Sequence, residues 1–457
     1  MKGESDMKDT IAAISTTLGV GAIAIIRVSG EDAISIVNRI FKGKNLSQVE
    51  SHTIHYGHIV ENGENVDEVL VSVMKSPKTF TTEDVVEINC HGGIATTNKV
   101  LELVLENGAR MAEPGEFTKR AFLNGRIDLT QAESVMDLIN GKSEQARKVA
   151  MHGVDGEVGN LIRMLRQQML ELLAAIEVNI DYPEYEDAED MTTNKIAPVL
   201  KSIQEKLHHI IEQSENGAIL KNGIQTVIVG RPNVGKSSIL NRLLKQDKAI
   251  VTDIAGTTRD LVEGSITISG VALDIIDTAG IRDTDNVVEK IGVDKSLSLI
   301  PKADLVIAVF NCNEVFNEED KELLKKIDAH KSIIVLNKND LPSKIDESVF
   351  EGYAVVHTNT KDVDGIDTLR NKIVELFHLD QLEKNDYTCL SNIRQIRLAK
   401  EAYQSILNAV SGAEQLLPPD MIEIDIKDAW STLGEIIGET YSDELIDQLF
   451  SQFCLGK

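Results

Sequence analysis

The residues with the clearest chemistry stand at positions 230–237, where the sequence reads Gly-x-x-x-x-Gly-Lys-Ser. A β-branched run precedes Gly230 and an apolar helical pattern follows Ser237, so we expect the motif between a strand and a helix. There, glycines let backbone N–H groups surround phosphate oxygens, and the helix N-terminus favours negative charge. Lys236 is suited to contact the β- and γ-phosphates, and the Ser237 hydroxyl to ligate Mg²⁺. The stretch predicts a phosphate loop.

Three more motifs follow the phosphate loop in a fixed order. Residues 256–260 read Gly-Thr-Thr-Arg-Asp, and their hydroxyls are suited to reach Mg²⁺ and the γ-phosphate. Residues 277–280 read Asp-Thr-Ala-Gly, whose carboxylate can lie behind Mg²⁺ and whose glycine N–H can contact the γ-phosphate. Residues 337–340 read Asn-Lys-Asn-Asp, and the Asp340 carboxylate can accept from N1–H and the amine of guanine. Adenine lacks this donor pair, so the four motifs together predict a GTPase.

The residue after Asp-Thr-Ala-Gly is Ile281, where many GTPases have a glutamine that orients the attacking water. Another acid or amide must orient the water, and another cation must neutralise the developing charge. Arg259, Arg282 and Glu289 are the candidates, although both arginines also fit switch residues without a catalytic role. The loop that usually reads Ser-Ala-Lys on the other side of guanine reads Asn-Thr-Lys at 359–361.

The elements that position these motifs follow from the hydrophobic pattern. Strands and helices alternate over residues 223–379, which predicts a doubly wound sheet with strands at 224–229, 265–269, 272–277, 304–310, 332–336 and 353–357. The N-terminal part predicts strands at 22–28, 53–60, 67–74 and 84–90, with helices at 31–41 and 94–106. Helical patterns cover 157–180 and 195–215, and Thr130 with Glu133 fits a capping box.

These patterns predict a multidomain α/β protein. We expect an N-terminal α+β domain at 1–122, a helical domain in two parts at 123–220 and 381–457, and an inserted doubly wound GTPase domain at 221–380. The second helical part ends in Cys-Leu-Gly-Lys.

Composition restricts the classes of protein to which the chain can belong. It has 457 residues, of which 42% are hydrophobic and 26% charged, as is ordinary for a globular protein. No apolar run reaches about 18 residues, so we expect no membrane span. The polar N-terminus predicts a cytoplasmic protein, and four widely spaced cysteines predict reduced thiols. The net charge of −26 argues against broad electrostatic binding of nucleic acid.

The sequence resembles one family along almost its whole length, the tRNA-modification GTPases MnmE, also called TrmE. The resemblance is carried by the four GTPase motifs and by five further stretches: Asp-Thr-Ile-Ala-Ala at 9–13, Gly-Ala-Ile-Ala-Ile-Ile-Arg at 21–27, Pro-Gly-Glu-Phe-Thr at 114–118, Arg-Ala-Phe-Leu-Asn at 120–124 and Phe-Cys-Leu-Gly-Lys at 453–457. The family more often has Ile where Leu455 stands.

The resemblance implies a potassium-activated GTPase that forms a homodimer through its N-terminal domain and a heterotetramer with an MnmG-like flavoprotein carrying FAD. Together they would form the 5-carboxymethylaminomethyl-type modification at the wobble uridine of certain tRNAs. A tetrahydrofolate derivative, 5-formyl- or methylene-tetrahydrofolate, would be the one-carbon donor. The flavoprotein could supply much of the tRNA contact, which would reconcile tRNA as a substrate with the acidic composition.

The resemblance also implies roles for individual residues. Nucleotide contacts are implied for Asn233, Val234, Gly235, Lys236, Ser237, Ser238, Thr252, Asp253, Ile254, Ala255, Gly256, Thr257, Thr258, Asp277, Thr278, Ala279, Gly280, Asn337, Lys338 and Asp340. Among these, the Mg²⁺ ligands would be Ser237 and Thr258, and the K⁺ ligands would be Asn233, Thr252, Ile254 and Thr257. Glu289 matches the family's water-orienting acid. The folate contacts would be Arg27, Glu87, Arg126 and Lys457, and Cys454 is a candidate for the modification chemistry.

Residue patterns alone leave two other functions open. A ribosome-assembly or RNA-binding GTPase switch would share the phosphate-binding motifs, but such proteins usually carry a basic RNA-binding module, and no such module is predicted here. A self-assembling GTPase driven by dimerisation would suit the helical part. Glu87, taken singly, also fits a solvated strand residue. The matches at both ends of the chain to one modification family favour the enzyme.

Overall fold

The computed structural model describes residues 9–181, 193–246, 262–276, 299–359, 364–379 and 389–456. The strands are β1 (Ile11–Ile14), β2 (Ile23–Ser29), β3 (Phe41–Lys42), β4 (Thr53–Glu61), β5 (Glu64–Met74), β6 (Val85–His91), β7 (Arg110–Met111), β8 (Ile224–Val229), β9 (Val262–Ile268), β10 (Val271–Ile276), β11 (Leu305–Asn311), β12 (Ser332–Asn337) and β13 (Ala354–Thr358). The helices are α1 (Ala33–Ile40), α2 (Ile94–Glu106), α3 (Glu116–Leu123), α4 (Leu129–Asn140), α5 (Glu144–Val154), α6 (Glu157–Asp181), α7 (Thr193–Asn222), α8 (Lys236–Gln246), α9 (Glu318–Lys326), α10 (Asp364–Leu376), α11 (Ile393–Glu414), α12 (Pro419–Ile437) and α13 (Asp443–Phe450).

The chain forms two compact units. The first comprises residues 1–136, 154–174 and 426–457, and the second comprises residues 137–153 and 175–425. In the described part of the chain, no helix combines the length and the apolar character needed to cross a bilayer.

The first unit contains a seven-stranded sheet in the order β3-β4-β5-β6-β2-β1-β7. Alternation along β2 and β6 buries every second residue, such as Ile26 and Ile88, against α1 and α2, which contribute Ile36 and Val100 to the same core. The same alternation turns Glu87 to the other face of the sheet.

The second unit contains a six-stranded sheet in the order β13-β12-β11-β8-β10-β9. Five strands are parallel and β9 runs antiparallel at one edge. Every residue of β11 is buried, which explains its continuous apolar run. Because β10 and β11 flank β8 on opposite sides, the strand order reverses at β8, and ligands of such sheets bind beyond the carboxyl ends of strands at this point. The predicted doubly wound sheet is confirmed, with strand ends shifted by a few residues.

The capping box predicted for α4 was placed too late in the chain. The helix begins at Leu129, and the Asp128 carboxylate accepts the Gln131 N–H at 2.9 Å while the Gln131 side chain accepts the Asp128 N–H at 3.0 Å. Thr130 donates its hydroxyl to Asp128 at 2.6 Å, so it supports the cap without forming it. Two overlapping motifs fit the sequence, and the carboxylate accepts both donors at the helix start.

Residues 137–153 pack against the sheet of the second unit. Val149 lies in its hydrophobic core, and Lys142 donates at 2.8 Å to Asp274, a buried carboxylate on β10. Lys221 at the end of α7 pairs with Asp137 at 2.7 Å. This helical segment therefore holds strand β10, which leads directly into residues 277–280.

Candidate functional site

The phosphate loop lies between β8 and α8, as the sequence predicts. Gly230 has φ +149°, and a Cβ there would stand 2.4 Å from the Val309 carbonyl oxygen. Gly235 has φ +106°, and a Cβ there would stand 2.1 Å from Nδ2 of Asn337. Both positions therefore require glycine, for backbone conformation and for space.

The side chains of the loop surround the N-terminus of α8. Lys236 Nζ donates to the carbonyls of Gly230 at 2.9 Å and Arg231 at 2.8 Å, so the ammonium lies within the loop. Ser237 and Ser238 stand in the first turn of α8, where backbone N–H groups favour an anion. Val234 is buried in the sheet core.

The predicted guanine-reading loop is hydrogen-bonded to the phosphate loop. Asn337, the last residue of β12, donates through Nδ2 to the Val234 carbonyl at 2.8 Å, and Lys338 Nζ donates to the Asn233 carbonyl at 3.0 Å. Asn233 and Lys338 both adopt left-handed backbone conformations, with φ of 62° and 64°. Asp340 follows on the exposed side of the same loop. Two motifs that are distant in the chain thus form one surface.

A third loop adjoins the predicted guanine-reading loop. Thr358 donates its hydroxyl to Oδ1 of Asn337 at 3.1 Å, and the Asn339 N–H donates to the Thr358 carbonyl at 3.1 Å. The chain then reaches Asn359, so the first residue of the Asn-Thr-Lys stretch lies next to the predicted guanine-reading loop.

Sequence reasoning missed Cys312, which lies beneath the guanine-reading loop. Its Sγ donates to the Lys338 carbonyl at 3.0 Å, and its N–H donates to the Asn337 carbonyl at 3.0 Å. Burial, and then the nearby charge of Asp340, raise the pKa of the Cys312 thiol. Only its position directly after a buried strand could have marked this residue.

The other predicted residues of the nucleotide site lie outside the described residues. These are Thr252, Asp253, Ile254, Ala255, Gly256, Thr257, Thr258, Asp277, Thr278, Ala279, Gly280 and Glu289, together with Arg259, Ile281, Arg282, Thr360 and Lys361. Within the described part of the chain, no group of three or more His, Cys, Asp or Glu side chains is arranged to hold a metal ion.

Two of the predicted folate contacts face each other across β2 and β6. Arg27 and Glu87 are register partners, and Arg27 Nε lies 2.9 Å from the Glu87 carboxylate. Both side chains are about one-fifth exposed, at 19% and 23%, so Glu87 is not a freely solvated strand residue. Arg27 Nη1 also donates to the Gly456 carbonyl at 3.2 Å, which brings the C-terminal tail to this pair. Lys457 itself lies outside the described residues.

Arg126, another predicted folate contact, lies over the Phe80 ring, and Arg27 lies over the Phe117 ring. Both rings belong to one small apolar cluster. The Arg126 guanidinium is 5.0 Å from the Phe80 ring centre and donates to the Phe80 carbonyl at 2.9 Å. Arg27 lies 5.7 Å from the ring centre of Phe117. Cys454 is exposed, and its carbonyl accepts from the Gly115 N–H at 3.2 Å.

An ion-pair network explains the unusual polarity of the stretch that begins at residue 114. Arg120 is 2% exposed and contacts three carboxylates, those of Asp9 at 2.7 Å, Glu83 at 3.0 Å and Glu116 at 3.0 Å. Arg110 contacts Glu116 at 2.6 Å and Asp9 at 2.5 Å. Burial alone would raise the pKa of Asp9 and Glu116, but hydrogen bonds from the two arginines outweigh it and lower both pKa values. The network fixes α3 to the start of the N-terminal sheet.

A doubly wound sheet whose phosphate loop is bonded to an Asn-Lys-x-Asp loop defines a P-loop GTP-binding protein. The family model described as the MnmE helical domain matches residues 129–454, and that of the GTP-binding protein TrmE N-terminus matches residues 10–126. The chain belongs to the MnmE family of tRNA modification GTPases.

Relatives of known name are similar over nearly the whole chain. The tRNA modification GTPases MnmE of Bacillus thuringiensis (strain Al Hakam) and Bacillus anthracis are each 54% identical, over 98% of this chain and 99% of their own length. Among solved structures, the G domain of the T. maritima FeoB iron transporter matches 34% of this chain and 98% of its own, with 30% identity and a TM-score of 0.24. The family assignment rests on the sequence matches.

Proposed function

We propose that this chain hydrolyses GTP under the control of a potassium ion and couples hydrolysis to modification of the wobble uridine in certain tRNAs. The main structural support is a pair of hydrogen bonds, from the Asn337 side chain to the Val234 carbonyl and from the Lys338 side chain to the Asn233 carbonyl. These bonds hold the loop that would read guanine against the loop that would hold the phosphates. Family membership supports the link to tRNA.

The donor groups of the phosphate loop fit two cations. Ser237, with Thr258, would hold Mg²⁺, since hydroxyl oxygens suit this ion. Asn233, with Thr252, Ile254 and Thr257, would hold K⁺. The Asn233 side chain is exposed while its carbonyl is engaged by Lys338, which supports the side-chain amide as the ligand. Bound there, potassium would supply the positive charge that stabilises phosphoryl transfer. Glu289 would orient the attacking water.

The N-terminal sheet offers matching groups for a tetrahydrofolate derivative, either 5-formyl- or methylene-tetrahydrofolate. A guanidinium such as Arg27 or Arg126 suits the carboxylates of folate, and Glu87 suits the N–H donors of a pterin. The tail contact at Gly456 supports a place for Lys457 at the same site. Cys454, exposed on that tail, is the candidate for the modification chemistry.

The remaining parts of the proposal concern assembly and domains. Residues 1–122 would bind folate and form the homodimer, 221–380 would be the GTPase domain, and 123–220 with 381–457 the helical domain. An MnmG-like flavoprotein with FAD would complete a heterotetramer. Because tRNA is the substrate, we place the complex in the cytoplasm.

The test is GTP turnover by the full chain in potassium chloride and in sodium chloride at equal ionic strength. We expect potassium to raise the rate by about tenfold or more, equivalent to at least about 1.4 kcal/mol of the barrier. Asn233→Ala should abolish the difference between the salts. Asn62→Ala is the matched control, since Asn62 is also an exposed asparagine with positive φ, in a hairpin of the other sheet. Equal rates of the unaltered chain in both salts would refute potassium control.

A further inference from the structure

Arg231, the second residue of the phosphate loop, makes contacts that no nucleotide motif explains. Its Nε donates to Oδ1 of Asp320 at 2.7 Å, and its Nη2 lies 3.1 Å from Oε2 of Glu314. The guanidinium thus forks onto two carboxylates, that of Glu314 in the connection between β11 and α9 and that of Asp320 in the first turn of α9. Arginine suits such a fork because its donors lie in one rigid plane.

The Asp320 carboxylate is held firmly in place. Its side chain is 2% exposed, and while Oδ1 accepts from Arg231, Oδ2 accepts the Asn317 N–H at 3.1 Å. The Asn317 side chain accepts the Asp320 N–H in return at 3.0 Å, which completes a capping box at the start of α9. Glu314 is tied through Oε1 to Nδ2 of Asn311 at 2.6 Å. Asn311 is buried at the end of β11, so the Glu314 carboxylate is tied to the sheet while that of Asp320 is held by the helix cap.

The backbone on either side of Arg231 belongs to the phosphate loop. Gly230 lies against the Val309 carbonyl, and the Arg231 carbonyl accepts from Lys236 Nζ at 2.8 Å. Fixing the Arg231 side chain therefore fixes the turn that holds Lys236. Because Asp320 and Glu314 already neutralise the guanidinium, Arg231 is poorly suited to bind a phosphate directly.

We propose that Arg231 is a positioning residue of the nucleotide site. By anchoring the phosphate loop to Asp320 and Glu314, it keeps the loop's N–H groups in the arrangement that binds phosphates, and so reduces the cost of ordering the loop when nucleotide enters. This inference rests on the nucleotide site of the proposed function.

The experiment measures the dissociation constant for fluorescent GDP and the melting temperature of the nucleotide-free full chain. Arg231→Ala should weaken GDP binding about tenfold and, because it leaves the buried Asp320 carboxylate without its cation, should also lower the melting temperature. Arg231→Lys should be intermediate, because one ammonium cannot bridge both carboxylates. Asp320→Asn should weaken GDP binding by the same factor as Arg231→Ala. The double variant should lose no more GDP affinity than either single variant.

Asn317→Ala is the control, since it removes the cap acceptor for α9 and leaves the Arg231–Asp320 pair intact. It should lower the melting temperature and leave the GDP affinity unchanged. Unaltered GDP affinity in Arg231→Ala or, if that variant does not fold, in both Arg231→Lys and Asp320→Asn would overturn the inference. A loss of GDP affinity in Asn317→Ala as large as that in Asp320→Asn would also overturn the inference. Failure of the unaltered chain to bind GDP would instead refute the proposed nucleotide site.

Discussion

Cys312 holds a strained residue in the guanine-reading loop. Lys338 has φ of 64°, a conformation that costs a non-glycine residue about 1 kcal/mol or more. The Cys312 thiol and N–H bond the carbonyls of Lys338 and Asn337, both at 3.0 Å, and these contacts offset that cost. A buried thiol with a raised pKa stays protonated and therefore remains a donor.

We predict that Cys312→Ala weakens GDP binding about three- to tenfold. The change removes one of two donors to the Lys338 carbonyl and leaves it only the Leu341 N–H at 3.0 Å, a loss that costs about 1 kcal/mol. Cys312→Ser, which restores a donor, should recover part of the affinity. Titration with fluorescent GDP measures both effects.

Cys90→Ala is the control for this prediction. Cys90 is also buried, and its thiol also bonds a backbone carbonyl, that of Ala24 at 3.5 Å, in the other sheet. It should leave GDP affinity unchanged. Equal GDP affinities of Cys312→Ala and the unaltered chain would show that the thiol does not support the loop.

At the scale of elements, α3 depends on its ion pairs for its place against the N-terminal sheet. The pKa values of Asp9 and Glu116 are lowered from ordinary values of 3.8 and 4.5. Groups whose pKa is lower in the folded state stabilise it fully above their unfolded pKa and lose that contribution as pH falls through the folded pKa. The first unit should therefore lose stability progressively below about pH 4.5.

We predict that Glu116→Gln lowers the free energy of unfolding at neutral pH by about 2 kcal/mol, because the buried Arg120 guanidinium loses one of the carboxylates that neutralise it. The variant should also show a shallower loss of stability on acidification. Chemical denaturation at several pH values measures both effects.

Glu113→Gln serves as the matched control, since Glu113 is exposed and only three residues away. It should behave as the unaltered chain does. If Glu116→Gln had the same free energy of unfolding as the unaltered chain at both neutral and acid pH, the ion-pair network would not be what holds α3 in place.

The strands, the ion pairs and the helix starts differ in how far the sequence predicts them. The hydrophobic pattern located all six strands of the second sheet and four of the seven strands of the first, because burial of every second residue, or of all of them, is a local pattern. It missed β1, β3 and β7, which have only two to four residues each and are too short to show such a pattern. The carboxylates around Arg120 come from residues as far apart as Asp9 and Glu83, so no local pattern could pair them. Arg231 with Asp320, and Cys312 with Lys338, escaped prediction for the same reason. The start of α4 was misplaced because two capping motifs overlap there.

At the scale of the whole molecule, the net charge of −26 bears on how tRNA is bound. Phosphate backbones bind through released counterions, which requires clustered cations, and an acidic chain offers few. We predict that the chain alone binds tRNA weakly at physiological salt, and that adding the MnmG-like flavoprotein proposed as its partner tightens binding by about tenfold or more. Titration of labelled tRNA with the chain, the partner and both together measures this. Tight binding by the chain alone would contradict the prediction.

The contact between Gly235 and Asn337 has a consequence for how the sequence can change over time. Every missense codon at Gly235 adds a Cβ, and that atom would stand 2.1 Å from the Asn337 amide. Removing the Asn337 amide would relieve that clash, but φ at Gly235 is +106°, a conformation that other residues adopt only with strain. Homologous chains should therefore retain glycine at the position of Gly235 even where the residue at the position of Asn337 has changed.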